Sequence, residues 1–179
     1  NKEINSDTLK SFIYYSGSGF LHKGLDLLIE FFIKNPQFKF YICSASSEKR
    51  FLKFYNLDKY QNIKYEGNVK EDSKKARKIF EKCGFIISMN CSGGGSAALA
   101  VGRRYGLVPV VWKNEDCNPK ACFFIKSENY NGIKKTVIKV CKIDKVRYLF
   151  LSRKNQKISN ENVSKCYNNK LNRIFKKLN

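Results

Sequence analysis

The sequence predicts an α/β fold, a doubly wound parallel sheet with helices on both faces and closing helices at the carboxyl end. Three observations carry this. Short apolar runs alternate with one-sided helical patterns from residue 12 to residue 111, the main runs empty into polar or glycine-bearing turns, and from Tyr130 the pattern becomes helical alone. Alternating buried strands and amphipathic helices are the mark of βαβ units, whose strands are covered on both faces. In such sheets ligands bind beyond the carboxyl ends of the strands.

Residues 12–15 (FIYY) run into Ser16, Gly17, Ser18 and Gly19, a buried strand entering a turn. From Gly24 the period lengthens: Leu25, Leu28, Ile29 and Phe32 share one face of a helix that ends before Pro36. Residues 38–43 (FKFYIC) form the second strand, followed by a serine-rich turn over 44–47 and a helix over 48–55. A short third strand, 63–65, leads to Gly67 and Asn68. Asp72 or Ser73 caps the next helix, whose Ala76, Ile79, Phe80 and Cys83 make one apolar stripe. The central strand, 85–89, meets the glycine turn of residues 92–96, then a helix with small residues at Ala97, Ala98 and Ala100, which let it pack closely. A strand over 107–111 and an edge strand over 122–125 follow. Ile133, Val137 and Val140 share a helical face, as do Tyr167, Leu171, Ile174 and Leu178 near the end.

With 179 residues, 42% of them hydrophobic, the chain fills one domain, and no second complete one is expected. The formal charge of +20 fits a nucleic acid, an anionic membrane or a phosphorylated substrate as partner. Because the lysines are spread along the chain, a solvated basic surface is the plainer reading, and Arg103 and Arg104 are read the same way. The seven cysteines include no CxxC pair and the only histidine is His22, so no metal is expected. Reduced thiols packing as small hydrophobes fit a cytoplasmic protein. No run approaches the roughly 20 apolar residues of a membrane span.

Two turns carry chemistry. In GSGFLHKG, residues 17–24, glycines allow close backbone approach and Lys23 can reach a phosphate as a point charge. A plain strand-to-helix turn with a surface lysine is an equal reading on spacing alone, and His22 either hydrogen-bonds a ligand or caps its own loop. In Ser92, Gly93, Gly94, Gly95 and Ser96, three glycines before a helix leave its first N–H groups uncovered, which suits a diphosphate or a sugar. One glycine serves a turn; three lower stability without aiding packing, so binding is the leading reading here. Cys91 lacks the histidine and carboxylate neighbours of a nucleophile.

These residues, in this order, resemble the C-terminal, donor-binding half of a retaining family 4 glycosyltransferase of the GT-B architecture. GSGFLHKGLDLLIEFF is similar to the family's "G-R-L-x-x-x-K-G-x-x-x-L-I-x-A-F" segment, NIKYEGNV to its "V-x-F-x-G-x-V", and CSGGGSAALAVGRRYGLVPVV to its "S-E-G-F-G-x-x-x-L-E-A-M-A-x-G-x-P-V-V". The resemblance implies a Rossmann-like sheet over residues 1–179 as a single nucleotide-sugar-binding domain, a fragment lacking an N-terminal acceptor domain and inactive alone. It implies that Ser18, Gly19, His22, Lys23, Ser92, Gly93, Gly94, Gly95 and Ser96 meet the donor diphosphate or sugar, and that Ser44, Gly67, Asn68, Val69 and Val101 flank the nucleoside. The family's first-loop arginine corresponds to Ser18, and the two glutamates of its E-x7-E signature fall at Gly93 and Val101, so the catalytic residues are left unassigned.

The function implied is transfer of a sugar, with retention, from a nucleoside diphosphate sugar to a saccharide or lipid-linked acceptor in polysaccharide biosynthesis, without a metal or other cofactor. The alternative is a catalytically degenerate nucleotide- or polyanion-binding module or subunit. Nucleic acid ranks last among partners, since no aromatic and basic platform is visible. The last helix, bearing Lys165, Lys170, Arg173, Lys176 and Lys177, packs on the domain or touches an anionic membrane peripherally, at the inner face; packing is the expectation.

Overall fold

The computed structural model describes residues 2–17, 19–45, 49–91 and 97–164, with backbone only at 49 and 161–164. Ser18, the 46–48 segment, all of residues 92–96, and the final helix with its apolar stripe and its lysines lie outside the described residues.

Six strands, β1 (Ser11–Ser16), β2 (Lys39–Ser44), β3 (Ile63–Gly67), β4 (Phe85–Ser88), β5 (Val108–Trp112) and β6 (Phe123–Ile125), form one sheet in the order β3-β2-β1-β4-β5-β6, parallel throughout. Among the described residues six α-helices accompany them: α1 (Leu25–Ile33), α2 (Lys49–Tyr55), α3 (Lys74–Lys82), α4 (Ala97–Arg104), α5 (Tyr130–Cys141) and α6 (Lys145–Ser164). This is the expected Rossmann-like α/β architecture. The apolar runs become strands because every second side chain serves a different face. Phe12 and Tyr14 of β1 enter one core with α1, α5 and α6, and Ile13 enters the other with α3 and α4. The same alternation puts Phe40 and Ile42 of β2 on the first face and Tyr41 and Cys43 on the second.

The first core is aromatic at its centre. Phe12 meets Phe32 at 5.5 Å and Phe85 at 5.1 Å between ring centroids, and Phe32 stacks on Phe40 at 4.1 Å. On the second face α4 lies close to β4: a Cβ added at Gly102 would stand 2.7 Å from Ile86 Cδ1. The helix caps follow local chemistry. Ser73, rather than Asp72, caps α3 by accepting the Ala76 N–H at 3.1 Å, and Asn129 caps α5 from Gly132 at 2.8 Å.

β5 begins one residue later than the apolar run. The Leu107 N–H still bonds the Gly102 carbonyl at 3.0 Å as the chain leaves α4. α6 closes the amino-terminal edge of the sheet, where the Tyr148 hydroxyl donates to the carbonyls of Gly84 (3.0 Å) and Gly106 (3.2 Å). No helix among the described residues is long and apolar enough to cross a membrane.

Candidate functional site

In the order β3-β2-β1-β4 the connections wind one way from β1 to β3 and the other way from β4 onward. The crevice such a reversal leaves is at the carboxyl ends of the two central strands, β1 and β4. A cavity of about 220 Å³ lies there, lined by Tyr14, Tyr15, Ser16 and Gly17 from β1 and its loop, Lys23 before α1, Ser88 and Asn90 after β4, and Ala97 and Ala98 at the start of α4. Strand-end hydroxyls and one ammonium therefore share a space whose walls are aromatic and backbone.

The loop after β1 is built to sit on the end of β4. Gly24 N–H bonds the Leu21 carbonyl at 2.8 Å and Leu25 N–H the Phe20 carbonyl at 3.0 Å, folding residues 20–25 into a tight turn. Gly24 closes it in the left-handed region, φ 65°, and its α-carbon lies so near Met89 that a Cβ would stand 2.6 Å from the Met89 Cβ. Cys91 N–H then donates to the His22 carbonyl at 3.1 Å. These contacts hold the end of β4 and the first loop together on either side of the crevice.

Those expected site residues that the structure describes fall as follows. Lys23 is half-buried and lines the crevice. His22 is exposed, and its imidazole packs on Gly19, where an added Cβ would be 2.6 Å from the ring; it braces its own loop. Ser44 is 1% exposed, and its hydroxyl donates to the Gly17 carbonyl, steadying the first loop from β2. Gly67, φ 73° with open space around it, and exposed Asn68 stand at the end of β3, two strands from the crevice. Val69 is 4% exposed, its side chain in the second core and its carbonyl accepting the Tyr15 hydroxyl at 2.9 Å. Val101 lies within α4, half-buried against that core. Ser18, Ser92, Gly93, Gly94, Gly95 and Ser96 lie outside the described residues.

Of the two arginines, Arg104 stays at the surface, as the solvated reading has it, and Arg103 does not. Arg104 pairs with Glu71 at 3.3 Å and Asp72 at 3.0 Å, joining α4 to the loop after β3. Arg103 turns inward, and its Nη2 donates to the Cys117 sulfur at 2.9 Å. Tyr14, Ser88 and Asn90 were missed as lining residues. Asn90 directly follows an apolar run while Tyr14 and Ser88 lie inside theirs, and none of the three acquires meaning until β1 and β4 are known to be adjacent.

Solved structures share this architecture. Sucrose-phosphate synthase from Thermosynechococcus elongatus superposes with a TM-score of 0.71 over 98% of this chain and 46% of its own, at 11% identity. The fold is one that GT-B glycosyltransferases carry. The catalytic domain of cholesterol-alpha-glucosyltransferase from Helicobacter pylori matches with a TM-score of 0.67 and 11% identity, over 87% of this chain and 100% of its own. A mutant TarM from S. aureus, solved with fondaparinux, alpha-GlcNAc-glycerol and UDP, matches with 0.63 and 17% identity over 88% of this chain and 33% of its own. The chain thus spans about a third of the length of TarM. At the level of sequence, no family model and no curated protein matches it.

Proposed function

We propose that this chain is the donor-binding domain of a retaining glycosyltransferase of the family 4 type, taking a nucleoside diphosphate sugar and serving a saccharide or lipid-linked acceptor held by a second, N-terminal domain. The observation that carries the reading is the crevice between β1 and β4, with Lys23 on its wall and the first loop held against the end of β4. Its setting at the reversal of winding is where such sheets take nucleotides. Structural relatives solved with UDP or ADP are consistent with that class of ligand.

In this proposal the Lys23 ammonium and the backbone amides of Gly93, Gly94, Gly95 and Ser96 meet the diphosphate, with no metal required. Charge that develops on the departing diphosphate as the glycosidic bond breaks is then stabilised by groups already in position. Gly67 and Asn68 flank the base. Ser44 and Gly24 act by holding the first loop rather than by touching the donor. Work on a cytoplasmic polysaccharide, with or without peripheral membrane contact, belongs to the same proposal.

A thermal-shift panel of UDP, GDP, ADP and their sugar conjugates tests it. A bound nucleotide at 100 times its dissociation constant adds about 2.7 kcal/mol of stability. One nucleotide of the panel is expected to raise the melting temperature of the parent, and Lys23→Ala is expected to remove most of the shift. Equal shifts in parent and variant would refute the phosphate role of Lys23.

A further inference from the structure

Residues 113–122 carry the chain from β5 to β6 across the face where α3 and α4 pack. Within this crossover the Ala121 N–H bonds the Asn118 carbonyl at 2.9 Å and the Lys120 N–H bonds Asn118 Oδ1 at 2.9 Å. A closed four-residue turn reverses the chain, so the residues on either side of it are turned back toward each other. Here these are Cys117 and Cys122, each 8% exposed and both packed in the core beneath α3 and α4. From α4, Arg103 Nη2 donates to the Cys117 sulfur at 2.9 Å. A thiol against a guanidinium, with a second thiol across one turn of chain, has the electropositive setting of a reactive cysteine, and nothing in the donor site uses it.

We propose that Cys117 and Cys122 are a redox pair in which Cys117 reduces a hydroperoxide and Cys122 resolves the product to a disulfide that closes the 117–122 turn. The Cys117 thiol gives its proton to solvent and the thiolate attacks one peroxide oxygen: an S–O bond forms, the O–O bond breaks, and the departing hydroxide takes a proton back from solvent to leave as water. Sulfur loses two electrons and the peroxide gains them. Cys122 then attacks the sulfenic sulfur; the S–S bond forms, the S–O bond breaks, and a second water leaves with the Cys122 proton. Two thiols and one hydrogen peroxide become one disulfide and two waters.

The electrostatics divide the roles. The neighbouring Cys122 thiol, helped by Arg103, holds the Cys117 thiol below its ordinary value against the cost of burial and the opposing charge of Glu115, while Cys122 is pushed up. Elsewhere burial raises the thiols: Cys43 and Cys141 to about 12, and Cys83 further. Those three sulfurs are correspondingly unreactive.

The test uses the full chain with Cys91→Ser and Cys166→Ser, treated with equimolar hydrogen peroxide, alkylated and mapped by peptide mass spectrometry. The expected first product is a peptide spanning Cys117 and Cys122 that has lost two hydrogens. In a Cys122→Ser background, which removes the resolving thiol, Cys117 is expected to accumulate as a sulfenic acid captured by dimedone. Arg103→Gln is expected to slow the oxidation by about threefold for each unit by which the Cys117 thiol rises. Oxidation that falls first on Cys43, Cys83 or Cys141, or an absence of dimedone adduct at Cys117, would overturn the proposal.

Discussion

At Gly24 the backbone has a left-handed φ of 65° and Met89 stands where a side chain would go. Gly24→Ala therefore combines an unfavourable backbone region with a clash against the end of β4, and is expected to cost about 2–4 kcal/mol, read from the urea midpoint. Unchanged stability would show that the two loops are not in contact. Glu115 offers a pH-dependent test. It is 3% exposed, and burial lifts its carboxyl from 4.5 to about 7, the nearby Arg103 pulling the other way. The unfolded chain releases this proton near 4.5 and the folded chain near 7, so between these values the folded state holds more protons and stability falls as pH rises. Glu115→Gln is expected to gain on the parent across that window; a constant difference between the two would contradict the burial. At this scale Lys23 was legible from its place after a glycine turn. The inward turn of Arg103 was not, because its partner Cys117 sits in a crossover without periodicity, fourteen residues along.

Among the elements, α6 was the least legible. Its buried positions include Tyr148, Leu151, Asn155 and Ser159, of which the last two are polar and hydrogen-bonded to the carbonyls of Ala121 (2.7 Å) and Ala100 (3.2 Å). A buried face that is half polar leaves no apolar stripe for pattern reading to find. The helices α1, α3 and α5, whose buried faces are mostly apolar, were read from their stripes. α6 is held to the sheet through Tyr148, whose hydroxyl serves the Gly84 and Gly106 carbonyls at the amino-terminal ends of β4 and β5. Tyr148→Phe keeps the ring and removes that donor, and the loss is expected to cost about 1–3 kcal/mol in chemical denaturation. A neutral result would mean that water replaces the hydroxyl and that α6 docks through packing alone.

For the whole molecule, the alternation of apolar runs and helical stripes was enough to read a parallel α/β sheet, because each run needed cover on two faces and only intervening helices supply it. The order β3-β2-β1-β4-β5-β6 was not readable, since a crossover helix has the same sequence pattern whichever way the chain then winds. That order puts β1 beside β4, so the end of β1 and its loop share one crevice with Ser88, Asn90, Ala97 and Ala98 from the β4 side. α6 docks at the opposite, amino-terminal ends of the strands, and the chain as a whole carries a net charge of +20. Surface charge alone attracts any polyanion and fades with salt. A built site differs in holding one ligand at one place.

A crystal structure of the chain grown with the stabilising nucleoside diphosphate at physiological ionic strength makes that distinction directly. The account predicts the diphosphate in the crevice between β1 and β4, within hydrogen-bonding distance of Lys23 Nζ. A nucleotide bound elsewhere on the basic surface, with the crevice filled by protein side chains, would contradict it.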